Sequence, residues 1–298
     1  MRLATHTISE NLVRQIQQLG VQQSKLQTAV GTGLRISQPE DDPAAVGRVL
    51  NLESSQRQVT QFKANATRAL NLSQASYAGL QGLKKVSDRA TEIGTLGGGT
   101  LSSSAAQAYA FEVNQLIEQA VQIGNSRLGA DYLYAGTAVS APAFAATRDS
   151  AGQVTAVAYQ GDSERAALPL TENATLAPTT DGVTNVGMRD FMNQLVALRE
   201  ALRANQPAAV ATAQGHLVGS EDALVSAIAE QGGVQARIEA AQAQLADRSL
   251  SLQSLVSSEI DTDLPTAIVK LSQTQTAYQA ALQSAANIMK ISLLDYIR

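Results

Sequence analysis

Apolar residues recur every three or four positions at both ends of this chain, and they lose that rhythm in the middle. Near the N-terminus Leu12, Ile16, Leu19, Gln23, Leu26 and Val30 alternate fours and threes. Near the C-terminus Leu264, Ile268, Leu271, Gln275, Tyr278, Leu282, Ala285, Met289 and Ser292 keep the same spacing. Residues three and four apart share one face of a helix, so each end presents a narrow apolar seam suited to a partner helix, interrupted by one glutamine. The first seam predicts a helix over about Thr7 to Val30, stopped at Gly31-Thr32-Gly33, and an extended stretch from Leu34 to Glu40. Asp42 then reads as an N-cap with Pro43 at the first helical position and Glu40 and Asp41 complementing the helix dipole.

The helix begun at Pro43 is predicted to run to about Ile93, with Val59, Phe62, Ala66, Ala69, Ser73, Tyr77, Leu80 and Leu83 inward. Gly97-Gly98-Gly99 and Ser102-Ser103-Ser104 mark a loop, after which a shorter helix carries Phe111, Val113, Leu116, Ile117, Ala120 and Ile123. From Gly129 to Gly187 the helical period vanishes. The alternating run Val154 to Tyr159, preceded by the turn sequence Asp149 to Gly152, predicts a small β-rich insert. Helical pattern resumes at Met188, pauses near Pro207, and continues with Leu217, Leu224, Ile238, Leu245 and Leu252 on multiples of seven, flanked by Ile228 and Val256. Asp261 to Pro265 breaks it before a last helix to Ile297.

The fold class expected is therefore mainly α with a small β insert: a long antiparallel helical hairpin or bundle of N- and C-terminal arms, with a β-rich domain at its tip. The division expected is 1–38 and 260–298 as terminal assembly segments, 39–128 and 188–259 as helical rods, and 129–187 as the insert. The central seams read as internal core. The terminal seams stand beyond Gly/Pro breaks and match each other, which favours an intermolecular or end-to-end coiled coil there.

Composition narrows the function. The chain of 298 residues is 44% hydrophobic but only 4% aromatic, with no Trp, which suits helices packed closely through small side chains. A net charge of −4 leaves no basic footprint for nucleic acid, and no window approaches the ~20 apolar residues of a membrane span. The start of the chain has no hydrophobic signal-peptide core, so by itself it points to the cytoplasm. There is no Cys, which removes disulfides and thiol chemistry. The two histidines, His6 and His216, have no nearby ligand candidates, so an acid–base pair or metal site is not expected. Asp41 and Asp42 with Glu40 could hold a cation, but a charged helix start explains all three. Gly97 to Gly99 lacks the Gly-Lys-Ser/Thr of a phosphate loop, and nothing supplies a nucleophile with its base. No enzyme activity and no cofactor are expected.

The block Ala29 to Ala44, with Gly33-Leu34-Arg35-Ile36 and the Asp41-Asp42 pair, resembles the N-terminal segment of the flagellin superfamily, with Thr32 where that family has Ser. Gly233-Val234-Gln235-Ala236-Arg237-Ile238-Glu239 is similar to its Gly-…-Asn-Arg-Leu-Glu stretch, with Ala236 replacing Asn. Pro43 after Asp42, the run Gly129-Ala130-Asp131-Tyr132-Leu133-Tyr134-Ala135-Gly136 and the ending Ser292-Leu293-Leu294-Asp295-Tyr296-Ile297 resemble one branch, the hook-associated protein 3 branch, which joins flagellar hook to filament. The resemblance implies a structural adaptor that assembles as a homo-oligomeric ring between hook-associated protein 1 and flagellin. It implies export by the flagellar type III apparatus without a cleaved signal peptide, hence an extracellular flagellar location, and an export chaperone. The assembly residues are then Leu12, Ile16, Leu19, Gln23, Leu26, Val30, Arg35, Leu264, Ile268, Leu271, Gln275, Tyr278, Leu282, Met289, Leu293 and Leu294. Leu271, Tyr278, Leu282 and Met289 are the candidate chaperone contacts. A short filament-forming flagellin and a cytoplasmic coiled-coil regulator are the alternative readings.

Overall fold

The computed structural model describes the backbone of residues 2–296 and the side chains of residues 10–287. The described chain is mainly α. Its helices are α1 (Arg2–Thr32), α2 (Pro43–Gly97), α3 (Ser103–Gly124), α4 (Gly182–Arg203), α5 (Pro207–Ile260) and α6 (Leu264–Tyr296), and three short antiparallel strand pairs lie between α3 and α4 in the chain. These are β1 (Arg127–Leu128) with β2 (Asp131–Tyr132), β3 (Phe144–Arg148) with β4 (Val154–Tyr159), and β5 (Leu168–Pro169) with β6 (Thr175–Leu176). The chain divides into two compact units: residues 1–58 with 249–298, and residues 59–248.

In unit 2, polar side chains link the helices in the cyclic order α2, α3, α4, α5. Arg89 reaches Glu112 at 2.6 Å, Arg199 donates to Asn114 at 2.7 Å, Ser220 donates to Gln194 at 2.6 Å, and Lys84 donates to Glu221 at 2.9 Å. Helix α3 thus stands diagonally opposite α5. Leu80, Leu83, Ile93, Val113, Ile117, Met188, Phe191, Leu195, Leu217 and Leu224 fill the space between them. Residue 231 falls on the same seven-residue repeat as Leu217 and Leu224, yet it is glutamine. Gln231 is buried, and its amide donates to Ser73 Oγ at 2.6 Å and to the Pro178 carbonyl at 2.5 Å, so the polar group is satisfied rather than excluded.

The insert is held by side-chain amides. Asn125 accepts from Phe144 N and donates to its carbonyl, and Asn193 does the same to Val157, so the edges of the β3–β4 hairpin are paired by helix residues. The hairpin turn follows the expectation: Asp149 accepts from the backbone of Ala151 and Gln153, and Gly152 takes φ 79°. Tyr132, Leu133, Tyr134 and Ala135 are all buried, and the Tyr134 hydroxyl donates to the Ser76 carbonyl at 2.7 Å.

Several expectations need correction. Helix α4 begins at Gly182, not Met188, because Asp181 caps it by accepting from Thr184 N at 2.8 Å. Strand β1 likewise precedes residue 129. On α3, Val113, Ile117 and Ala120 face the core, whereas Phe111 is 67% exposed. At the N-terminus α1 is also longer than Thr7 to Val30, and the stretch after it closes in a turn at Gln38–Asp41 instead of staying extended to Glu40.

Candidate assembly interface

In unit 1 the two terminal helices meet each other. Leu12, Ile16, Leu19, Gln23, Leu26 and Val30 are half-buried on α1, with Gly20 and Ala29 beside them, and the other described side chains of that helix are exposed. Helix α6 covers them in antiparallel fashion: Tyr278 lies over Gly20, while Ala267 and Lys270 lie beside Leu26 and Ala29. On α6, however, the buried or half-buried positions are Ala267, Leu271, Thr274, Gln275, Tyr278, Ala281 and Ala285. Leu264 (42% exposed), Ile268 (53%) and Leu282 (44%) fall on an uncovered flank. The C-terminal seam is therefore wider than the helix that packs on it. The side chains of Met289, Leu293 and Leu294 lie outside the described residues.

A polar clasp joins the linkers at the base of this pair. Gly33, at φ 76°, ends α1 in the left-handed region that glycine tolerates. Leu34 then pairs with Asp261 in an antiparallel bridge, with Arg35 N donating to the Ile260 carbonyl at 2.7 Å and Thr262 N donating to the Gly33 carbonyl at 2.9 Å. The Arg35 guanidinium reaches the Glu259 carbonyl at 2.7 Å and Asp42 at 3.5 Å. Arg48 grips the Glu259 carboxylate with two bonds of 3.0 and 2.8 Å. Asp41 accepts from Lys25 at 2.8 Å and from the backbone of Ser37 and Gln38. Lys25 chiefly, with those backbone donors, lowers the Asp41 pKa to about 2. The same bond raises Lys25, and Arg48 holds Glu259 below its ordinary value.

Asp42 caps α2 as expected, accepting from Ala45 N at 3.0 Å, with Pro43 in the first turn. Asp42 thus serves the cap and Asp41 the clasp. Among the described residues no group of three or more His, Cys, Asp or Glu could hold a metal ion, and no helix is long and apolar enough to cross a membrane. Sequence reasoning missed Lys25, Arg48 and Glu259, whose partners lie up to 224 residues away in the clasp. It also missed Ala267, Thr274 and Ala281, whose small side chains carry the four-three rhythm without bulk.

Residues 3–137 match the family model for the bacterial flagellin N-terminal helical region. Over those residues the chain is similar to flagellin. It is 24% identical over 321 aligned residues to flagellar hook-associated protein 3 of Salmonella typhimurium, with the whole of both chains covered. It is likewise 24% identical to the Escherichia coli protein of that name, covering 99% of each. Its fold is similar to that of a flagellar hook-associated protein from Vibrio parahaemolyticus, at TM-score 0.66 and 17% identity, over 74% of this chain and 100% of that one. Bacillus cereus FlgL gives TM-score 0.58 at 17% identity, over 70% and 99%. The family resemblance carried by the Ala29–Ala44 block and the mainly α fold with small antiparallel strand pairs both stand.

Proposed function

We propose that this chain is a structural adaptor of the bacterial flagellum, joining hook to filament as a ring of identical subunits that meet through their terminal helices. The observation that carries this reading is the end-to-end correspondence with hook-associated protein 3 of two species, through helical arms and insert alike. Residues 1–38 and 260–298 are the assembly segments, 39–128 and 188–259 the rods, and 129–187 the insert. Its neighbours are hook-associated protein 1 on one side and flagellin on the other, and it reaches them by type III export without a cleaved signal peptide. The role is mechanical and needs no catalytic group or cofactor.

The physical support is the partial cover of unit 1. Half-buried leucines and isoleucines each stabilise the α1–α6 pair by only about 1 kcal/mol, and isolated helices of this length are marginal in water. The uncovered flank Leu264, Ile268 and Leu282 awaits a neighbouring helix, with Met289, Leu293 and Leu294 continuing the segment. Ordering these segments on docking disfavours premature polymerisation. An export chaperone that takes Leu271, Tyr278, Leu282 and Met289 has to displace α1 from Leu271 and Tyr278, which keeps the two termini apart until delivery.

Deletion of the gene in its host tests the role, read by electron microscopy and by flagellin in the medium. Bare hooks with shed flagellin are expected. Bare hooks without shed flagellin would mark the chain as the filament subunit, and normal filaments would overturn the flagellar role.

A further inference from the structure

Arg199 is fully buried although it carries a charge, and the adaptor role gives it no task. Its guanidinium reaches the Glu200 carboxylate at 2.7 and 2.8 Å and donates to Asn114 Oδ1 at 2.7 Å. A guanidinium can only donate, so it claims the oxygen of the Asn114 amide and leaves the nitrogen as the free end. Arg203 does the same to Gln153, whose Oε1 accepts from its Nη2. Among the described residues neither amide nitrogen has a protein partner. Both amides line one groove of about 380 Å³ together with Gln107, Ala110, Phe111 and Arg203. That volume lies within the ~300–1,000 Å³ of small-molecule sites.

Charge and shape together select the ligand. Arg203 is the charged member of the lining, and its carboxylate partner Glu200 stands 3.4 Å away while held by Arg199 at 2.7 Å. Two guanidiniums thus share one carboxylate. The acids of α3 beside the groove are taken elsewhere, Glu112 by Arg89 and Glu118 by Arg148. Two amide donors beside a surplus positive charge suit a carboxylate. Gln107, Phe111 and Asn114 follow one another on a single face of α3, at spacings of four and three, over about 10 Å. The Phe111 ring is two-thirds exposed, and the negative face of an aromatic ring attracts C–H groups. At the far end the exposed Gln107 amide offers both a donor and an acceptor, as a hydroxyl requires. A fitting ligand therefore carries a carboxylate, a ring rich in C–H groups and a hydroxyl in a row, with a hydrogen bond of about 3 Å at each end.

We infer that this groove binds an acidic sugar of the uronate class, its carboxylate on Asn114 Nδ2, Gln153 Nε2 and the Arg203 guanidinium and its ring against Phe111. Arg199 is a positioning residue that acts through Asn114. The site lies within unit 2 of a single chain and does not depend on the adaptor reading.

The test titrates the isotope-labelled full chain with sodium glucuronate, glucose or sodium acetate and follows the side-chain amide resonances of Asn114 and Gln153 by NMR. Glucuronate is expected to shift both saturably, with an affinity at least about tenfold above those of glucose and acetate. Phe111→Ala, at an exposed position, is expected to keep the urea midpoint and to lose about tenfold in glucuronate affinity. Asn114→Asp keeps the shape and a partner for Arg199 but replaces the free donor with a carboxylate. Read on the Gln153 resonance, it is expected to abolish the preference for glucuronate over glucose, which a merely structural role of the Arg199 contact would leave unchanged. No saturable shift with glucuronate overturns the site. Acetate binding as tightly as glucuronate would make it a bare anion site, and glucose binding as tightly would remove the part played by charge; either overturns the uronate assignment. Undiminished glucuronate affinity in Phe111→Ala overturns the stacked ring, and an undiminished preference in Asn114→Asp overturns the donor role of Asn114.

Discussion

Leu217, Leu224, Ile238 and Leu245 of unit 2 are buried, whereas the equally periodic Leu12, Ile16, Leu19, Leu26 and Val30 of unit 1 are all half-buried. Unit 2 closes four helices and a hairpin around Phe144, Phe191, Met188, Met192 and Tyr134. Among the described residues unit 1 fully buries only Ile36, Ala45, Val49, Leu252 and Ala267 as apolar side chains, and leaves Leu250, Leu255, Leu264, Ile268 and Leu282 exposed. The same four-three rhythm therefore has two outcomes. Periodicity says that a helix has an apolar face; the number of neighbours decides how much of it is covered. Under the proposed adaptor role, the unit with too few neighbours of its own is the one that other chains cover.

The contrast breaks most sharply under core truncation. Ile117→Ala in unit 2 is expected to cost about 3–4 kcal/mol, since a fully enclosed side chain leaves a cavity, while Ile16→Ala costs about 1 kcal/mol because half of its area already faces water. Urea unfolding of the two variants gives the comparison, and equal losses would erase it. Gln231→Leu comes next. It strands Ser73 Oγ and the Pro178 carbonyl in the core, and is expected to destabilise unit 2 by about 1–3 kcal/mol despite adding apolar area. A stabilised variant would show that the amide is not needed there.

In unit 1 the clasp answers to pH instead. The Asp41 pKa falls from 3.8 to about 2 on folding, so its contribution is present above the unfolded value and is lost as pH falls through about 2. Lys25, raised by the same bond, loses its contribution only at strongly alkaline pH. Titration of the Ser37 and Gln38 amide resonances is expected to show a step near pH 2 that Asp41→Asn removes. A step near pH 4 would mean the clasp does not hold Asp41. The smallest stability effect belongs to the exposed flank. Leu282→Ser is expected to move stability by no more than about 0.5 kcal/mol yet to reduce filament formation on cells, and unchanged filaments would exclude that flank from assembly.

Much of this molecule was legible in its sequence. The cap at Asp42, the hairpin at Asp149–Gly152 and the helical seams follow from local chemistry and spacing. The start of α4 was missed because Gly182 and Val183 give no apolar period, although Asp181 was the available signal. Apolar content alone did not separate Phe111 from the inward residues of its helix, although Gln107 and Gln115, four residues away on either side, already marked a polar face. Gln231 was invisible because its partners, Ser73 and the Pro178 carbonyl, are brought to it only by the tertiary fold. The clasp partners Arg48 and Glu259 share that limit, being 211 residues apart. The offset of the α6 seam was hidden by the small residues Ala267, Thr274 and Ala281, which let helices approach closely without registering as hydrophobic.

Hydrogen exchange on the full chain, free in solution and again within isolated flagella, measures the difference between the units directly. The account predicts that the amides of α3, α4 and the β3–β4 hairpin are protected in both states, and that α1 and α6 are more weakly protected in the free subunit and gain protection on assembly. Equal protection of α1, α6 and α3 in the free subunit would contradict it.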